Sequence, residues 1–205
     1  MKKIVVSEAG TASNANLLSY AHSLAEPLSA KVEVRDNLAE NGRSDVMLTV
    51  VEPDTVLDTP YLVVPDGFKY RPVRRIALAV DFLSADIHAV QSAASFARRF
   101  NADLVIVYIT GDEREAVKSR KHGADFLNEV TCKINYDRIY FRQVSAVSVA
   151  QGLDWYSEFG LVDILIMTHR STNDSASVGE GFCRALAPLT NIPLLVLPEG
   201  VYPVF

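Results

Sequence analysis

Pro60-Tyr61-Leu62-Val63-Val64-Pro65-Asp66-Gly67 returns near the C-terminus as Pro193-Leu194-Leu195-Val196-Leu197-Pro198-Glu199-Gly200. An apolar, strand-length run closed in both places by proline, an acid and glycine marks an internal repeat, and each copy of a repeat builds the same unit. Outward from this echo, residues 4–36 align without gaps on 76–108 at an offset of 72, pairing Ile4 with Ile76, Ala21 with Ala93 and Ala30 with Ala102. Asp45-Val46-Met47-Leu48 matches Asp163-Ile164-Leu165-Ile166 at an offset of 118, and the closing run lies at 133. The offset grows by 46 and then by 15 residues, so the first copy lacks those stretches. The expected organisation is a truncated copy over 1–70 followed by a complete one over 73–205.

The second copy reads as alternating strands and helices. Arg74 to Asp81 is a short apolar run suited to a strand buried on both faces. Ser84-Ala85-Asp86 supplies capping residues, and Ile87, Val90, Ala94 and Ala97 recur at helical spacing up to Phe100. Asp103 to Thr110 is the next strand. Asp112-Glu113 opens a long helix with Val117, Ala124, Leu127, Val130 and Ile134 on one stripe. Arg138 to Val144 alternates as a strand, Ser148 caps a helix ending near Gly160, and Val162 to Thr168 is a strand. A polar stretch from His169 to Glu180 precedes a short helix through Leu189 and the last strand, Pro193 to Leu197. Five strands alternating with four helices predict an α/β fold with a five-stranded parallel sheet. The first copy keeps a strand, a helix over Ser13 to Leu28, a strand over Lys31 to Arg35, and the strands Asp45 to Val51 and Pro60 to Pro65.

Composition narrows the function. The chain is 49% hydrophobic and 22% charged, with a net charge of −5, which argues against a nucleic-acid surface. The cluster Arg71, Arg74 and Arg75 is expected to coat the linker and a strand start. No apolar run approaches the ~20 residues of a membrane helix. Met1-Lys2-Lys3 opens directly into a strand, without the pattern of a signal peptide. Cys132 and Cys183 stand alone, fitting reduced thiols. A cytoplasmic protein with no membrane partner is expected.

The strand ending in Asp81, the Ala-rich first helix, Thr168-His169 after the fourth strand and the terminal Pro-Leu-Leu-Val-Leu-Pro together resemble the universal stress protein family. The match covers about 73–200, and residues 1–67 look like a truncated tandem copy. The resemblance implies a Rossmann-like sheet and, in the nucleotide-binding branch, a Gly-x2-Gly-x9-Gly-Ser/Thr loop threaded through the Thr-His step. Such a loop needs bare backbone, because phosphates bind exposed N–H groups that side chains would screen. Here the first glycine falls on Met167, the second on Arg170 and the third on Glu180, while the hydroxyl position falls on Gly181. The ATP-binding loop is therefore read as degenerate, with Gly179 and Gly181 able to restore one turn only by a register shift.

Ligands of open α/β sheets bind beyond the carboxyl ends of strands where the strand order reverses. Candidate contacts at that edge are Asp81, Phe82, Tyr108 and Met167, joined by His169, Arg170, Gly179 and Gly181. Asp81 suits either a ligand hydroxyl or the cap of the following helix. His169 suits either a general base or a structural hydrogen bond, and Arg170 either an anion or solvent. His22, His88 and His122 lack the spacing of a zinc motif, and no nucleophile is paired with a base by spacing. Lys118, Arg120 and Lys121 read as a solvated helix face, and Trp155 with Tyr156 as core and interface. The expected function is non-catalytic, a stress-response protein acting through protein contacts or a small ligand, with no cofactor. The alternative is an adenine-nucleotide binder of ATP or AMP, with slow hydrolysis. The two copies are expected to pack as an intramolecular pseudo-dimer. The closing strands are expected at sheet edges, available for a homodimer.

Overall fold

The computed structural model describes residues 2–7, 13–36, 45–53, 55–81, 86–111, 113–169 and 190–205; the side chains of 13, 14 and 113–122 are outside the description. In chain order the elements are β1 (Lys3–Ser7), α1 (Ser13–Leu28), β2 (Lys31–Arg35), β3 (Val46–Val51), β4 (Tyr61–Val63), β5 (Arg75–Ala79) and α2 (Ile87–Phe100). They continue as β6 (Asp103–Thr110), α3 (Glu113–Lys133), β7 (Ile139–Ser145), α4 (Val149–Phe159), β8 (Ile164–His169) and β9 (Leu194–Pro198). Local signals set several of these bounds. Asp86 caps α2, its carboxylate accepting from the His88 N–H at 2.8 Å, and the Ser148 hydroxyl accepts from the Gln151 N–H at the start of α4. Asn101 ends α2 in the left-handed region at φ 51°, a conformation that asparagine tolerates well.

The nine described strands form one mixed sheet in the order β2-β1-β3-β4-β9-β8-β5-β6-β7. This corrects the expectation of a five-stranded parallel sheet standing by itself. The strands β9-β8-β5-β6-β7 are parallel among themselves, and so are β2-β1-β3-β4, but β4 meets β9 antiparallel. Tyr61 lies opposite Val196, Leu62 opposite Leu195 and Val63 opposite Leu194. The proline-bounded strands therefore occupy the middle of the sheet and not its edges. Proline lacks only a donor, and here the prolines stand where only a carbonyl is required. Pro60 O accepts from Thr49 N at 3.1 Å and Pro193 O from Leu165 N at 3.0 Å.

Side-chain alternation divides the core into two layers. On one face Ile4, Leu48, Leu62, Ile76, Leu104, Ile164 and Leu195 pack beneath α1, α2 and α3, through Leu17, Tyr20, Val90, Phe96, Phe126 and Val130. On the other, Ala77, Val105, Leu165, Met167 and Val196 pack with Leu153 of α4. Toward β3 and β4 this second face is closed by a loop: Val56 and Leu57 pack on the cluster of Val51, Tyr61 and Val63. The stripe of α3 also differs from expectation, since Ala124 is exposed while Phe126, Val130 and Ile134 are buried.

Residues 201–205 return across the first layer. The Ser92 hydroxyl donates to Pro203 O at 2.7 Å, and Ser95 Oγ accepts from the Phe205 N–H at 3.1 Å. The buried Phe205 ring meets Phe96 edge-on at 4.8 Å, and Lys2 Nζ donates to Val204 O, so this segment ties α2 to the start of β1.

Candidate functional site at the carboxyl edge

Strand order reverses between β5 and β8. The connection leaving β5 runs through α2 on one face, while the one entering β8 comes from α4 on the other. Right-handed crossovers force this split and open a crevice at the carboxyl ends of the two strands. Asp81 follows β5 and is exposed. Val80 N donates to Val107 O at 2.9 Å, which carries the ladder to the residue before Asp81. His169 ends β8, directly across the crevice in sequence order of the sheet.

The N-cap residue of α2 is Asp86. His169 is 4% exposed, and its Nε2 is buried with no hydrogen-bond partner among the described residues. A buried polar atom of this kind costs on the order of 1–3 kcal/mol unless something meets it. Its main chain is engaged, His169 O accepting from Glu199 N at 2.8 Å. Tyr108 is half-buried near the end of β6, and the buried Thr110 hydroxyl donates to Val144 O at 3.4 Å. Met167 sits within β8 opposite Val196, 3% exposed, with its side chain in the second core layer. The crevice thus brings Asp81 and His169 to one edge and leaves Met167 in the core. Phe82, Arg170, Gly179 and Gly181 lie outside the described residues, as do Glu180 and Cys183.

Level with His169 across β9 is Thr59, one residue before the Pro60 that precedes β4. His169 pairs with Pro198, and the antiparallel register of β4 and β9 carries Thr59 opposite Pro198. The Thr59 hydroxyl is also buried, with no hydrogen-bond partner among the described residues. Sequence reading did not find it, because only the β4–β9 junction places it beside the carboxyl edge of β8.

The opposite edge of the same strands carries an open cleft of about 940 Å³, lined by Arg71, Arg74, Arg75, Asp103, Arg138 and Asp163 among others. Its charges largely satisfy one another. Asp163 accepts from the Arg74 and Arg75 backbone N–H groups at 2.8 and 2.9 Å, and its other oxygen meets Arg71 Nε at 2.9 Å. Arg75 Nη1 donates to Gly160 O at 2.8 Å, and Arg138 Nε to Asp103 at 3.0 Å. The arginine cluster coats the linker and the start of β5, as its sequence position suggested. The Arg71, Arg75 and Arg138 cations are committed to carboxylates and to nearby main-chain carbonyls. Among the described residues no group of three or more His, Cys, Asp or Glu is placed to hold a metal ion. Nor is any described helix long and apolar enough to cross a membrane.

No family model matches the sequence, and none of the curated proteins matches it. Solved structures do match its fold. A putative universal stress protein from Pseudomonas aeruginosa UCBPP-PA14 superposes with a TM-score of 0.62 at 15% identity, over 96% of this chain and 93% of its own. A protein of unknown function from Pseudomonas aeruginosa PAO1 gives 0.60 at 15% identity, over 96% and 92%. A universal stress protein from Archaeoglobus fulgidus DSM 4304 gives 0.57 at 13% identity, over 97% and 86%. At such identities the likeness is one of architecture. The chain has the α/β fold of universal stress proteins, with four described helices around a nine-stranded mixed sheet.

Proposed function

We propose that this chain is a non-catalytic stress-response protein: a tandem in which a reduced first copy, residues 1–70, supports a complete second copy, residues 73–205. The strand orders support the tandem reading. From outer strand to junction, the second half runs β7-β6-β5-β8-β9 and the first runs β2-β1-β3-β4, the same path with one strand fewer. In this reading the β4–β9 ladder is the interface of an intramolecular pseudo-dimer. The halves also touch where α1 lies against α2 and where Lys2 Nζ donates to Val204 O.

The observation that carries the functional reading is Met167. A phosphate-binding loop calls for bare backbone at this position, and here a thioether is packed into the core in mid-strand. Losing two charge-assisted N–H contacts to phosphate, each worth roughly 1.5–3 kcal/mol, weakens affinity by a factor of about 10² or more. The site then serves a small ligand other than ATP, for which Asp81 and the unpartnered His169 Nε2 are the polar contacts. Calorimetric titration with Mg-ATP tests this, beside a variant carrying Met167→Gly, Arg170→Gly, Glu180→Gly and Gly181→Ser. Micromolar binding by the unmodified chain refutes the reading. Native mass spectrometry of freshly purified protein gives the complementary readout, a bound mass that is not a nucleotide.

A further inference from the structure

With β4 and β9 joined to each other, the described sheet ends at β2 and β7, and these two edges differ. β2 reads Lys-Val-Glu-Val-Arg, and Glu33 binds Lys3 at 3.0 Å and Arg35 at 2.8 Å, a charged row of the kind that blunts an edge against pairing. β7 reads Ile-Tyr-Phe-Arg-Gln-Val-Ser, with one charge in seven residues. Beside it runs an apolar stripe. Gln151, Trp155 and Phe159 follow one another at four-residue spacing along α4, Val147 stands just before its N-cap, and Val147, Trp155 and Phe159 are 93%, 54% and 63% exposed. Of the pair read as core and interface, Tyr156 packs on the second core layer and Trp155 is exposed. The Trp155 and Phe159 rings stack at 5.2 Å, and Trp155 walls a groove of about 510 Å³ with Gln143, Val144 and Val147.

We infer that β7 and α4 form the dyad interface of a homodimer, in which a second copy of this chain adds its β7 antiparallel to this one. Three observations select a second copy as the occupant. First, α4 packs over β6 and β7. Extending the sheet by one ~4.8 Å strand step brings the two α4 helices side by side at roughly 10 Å, the ordinary spacing of packed helices, with their aromatic stripes facing. Second, Leu104 N donates to Arg138 O while Leu104 pairs with Ile139, so residues 138, 140 and 142 bond inward to β6 and residues 139 and 143 turn outward. The register that pairs Ile139 with Gln143 of the second copy sets Tyr140 opposite its Arg142. Unlike partners then meet twice, and the two arginines stay apart. Arg142 now donates to Phe141 O at 3.1 Å, a contact this pairing exchanges for the tyrosine face. Third, Val147, Trp155, Phe159 and Tyr140 are 93%, 54%, 63% and 45% exposed, a surface on the order of 500 Å², within the range of the largest patch on a monomer and more than half of the ~800 Å² each partner gives to a stable interface. The β4–β9 ladder shows the same construction inside the chain.

Sedimentation velocity of the full chain between 1 and 100 µM tests the inference. A dimer is expected. Gln143→Pro removes a donor on the outward side of β7 without touching the β6 ladder, and Trp155→Ser shortens the stripe at an exposed position. Each should raise the dimer dissociation constant at least tenfold while leaving the circular dichroism and melting temperature of the diluted monomer unchanged. Glu33→Ala on β2 should change nothing. A monomer at 100 µM overturns the inference. So does a dimer that neither variant weakens, or one dissociated by the β2 change.

Discussion

Asp163 holds the linker to the complete half of the sheet, and its removal has a calculable cost. One carboxylate oxygen accepts two backbone N–H groups at the start of β5, and the other takes the Arg71 guanidinium, with the side chain only 12% exposed. In Asp163→Ala two donors at a strand start lose their acceptor and Arg71 loses its counter-charge. Leaving two strand-start N–H donors without their acceptor costs about 1–3 kcal/mol each, or about 3–5 kcal/mol together with the lost ion pair. For a chain of this size that lowers the melting temperature by roughly 6–20 °C. Asp163→Asn keeps an acceptor oxygen and gives up charge assistance, so its cost is smaller, about 1–2 kcal/mol. Arg71→Ala removes only a half-exposed partner and costs under about 1 kcal/mol. Urea unfolding at pH 7 checks the order, with the denaturation midpoint moving and the slope constant. If Asp163→Ala proves no worse than Arg71→Ala, the backbone contacts contribute little and the reasoning fails. At the matching place of the first half a side-chain ion pair stands instead. Asp45 binds Lys3 Nζ at 3.0 Å, and Lys3 sits 72 residues before Arg75.

Other expectations follow from single contacts. A Cβ on Gly152 meets Ile109 Cγ2 at 2.7 Å and Ala146 Cβ at 3.1 Å, so Gly152→Ala should destabilise by about 1–2 kcal/mol despite better helix propensity, measurable by thermal melting. Burial of Tyr20 raises its phenol pKa far above the ordinary value near 10. The folded state thus holds the proton more tightly than the unfolded chain does, and the associated stability is complete below about pH 10 and declines as pH rises beyond it. Tyr20→Phe should flatten that alkaline decline; an unchanged slope between pH 9 and 11.5 counts against the assignment. Val196→Lys places an ammonium at a fully buried position opposite Tyr61 and should cost at least 3 kcal/mol, with β4–β9 amides losing hydrogen-exchange protection first.

Local and periodic features were legible without a structure. Helix α1 runs over Ser13–Leu28 and β2 over Lys31–Arg35, as residue spacing indicated, and the caps Ser148 and Asp86 fall where short polar side chains precede apolar periodicity. Asp81 and His169 reach one edge because a parallel sheet sends all its carboxyl ends the same way, which alternation of elements already implies. Pairing partners were another matter. Whether a proline-bounded strand ends a sheet or lies within it depends on which carbonyls its neighbours need, and Thr49 and Leu165 supply that demand from elsewhere in the chain. The Asp163 clamp, the Thr59 hydroxyl beside Pro198 and the packing of Phe205 on Phe96 all join residues far apart in sequence, with no short-range signal at either end. Which of Trp155 and Tyr156 is core and which is surface was settled only by packing: α4 has one apolar face for Leu153 and Tyr156 and a second with no described element to cover it. The sequence by itself determined the described elements and their order, because those rest on contacts a few residues apart; the short helix expected through Leu189 lies outside the described residues. Only the tertiary structure decided the nine-stranded junction, the buried His169 and the open β7 edge, because each depends on what the rest of the chain leaves beside it.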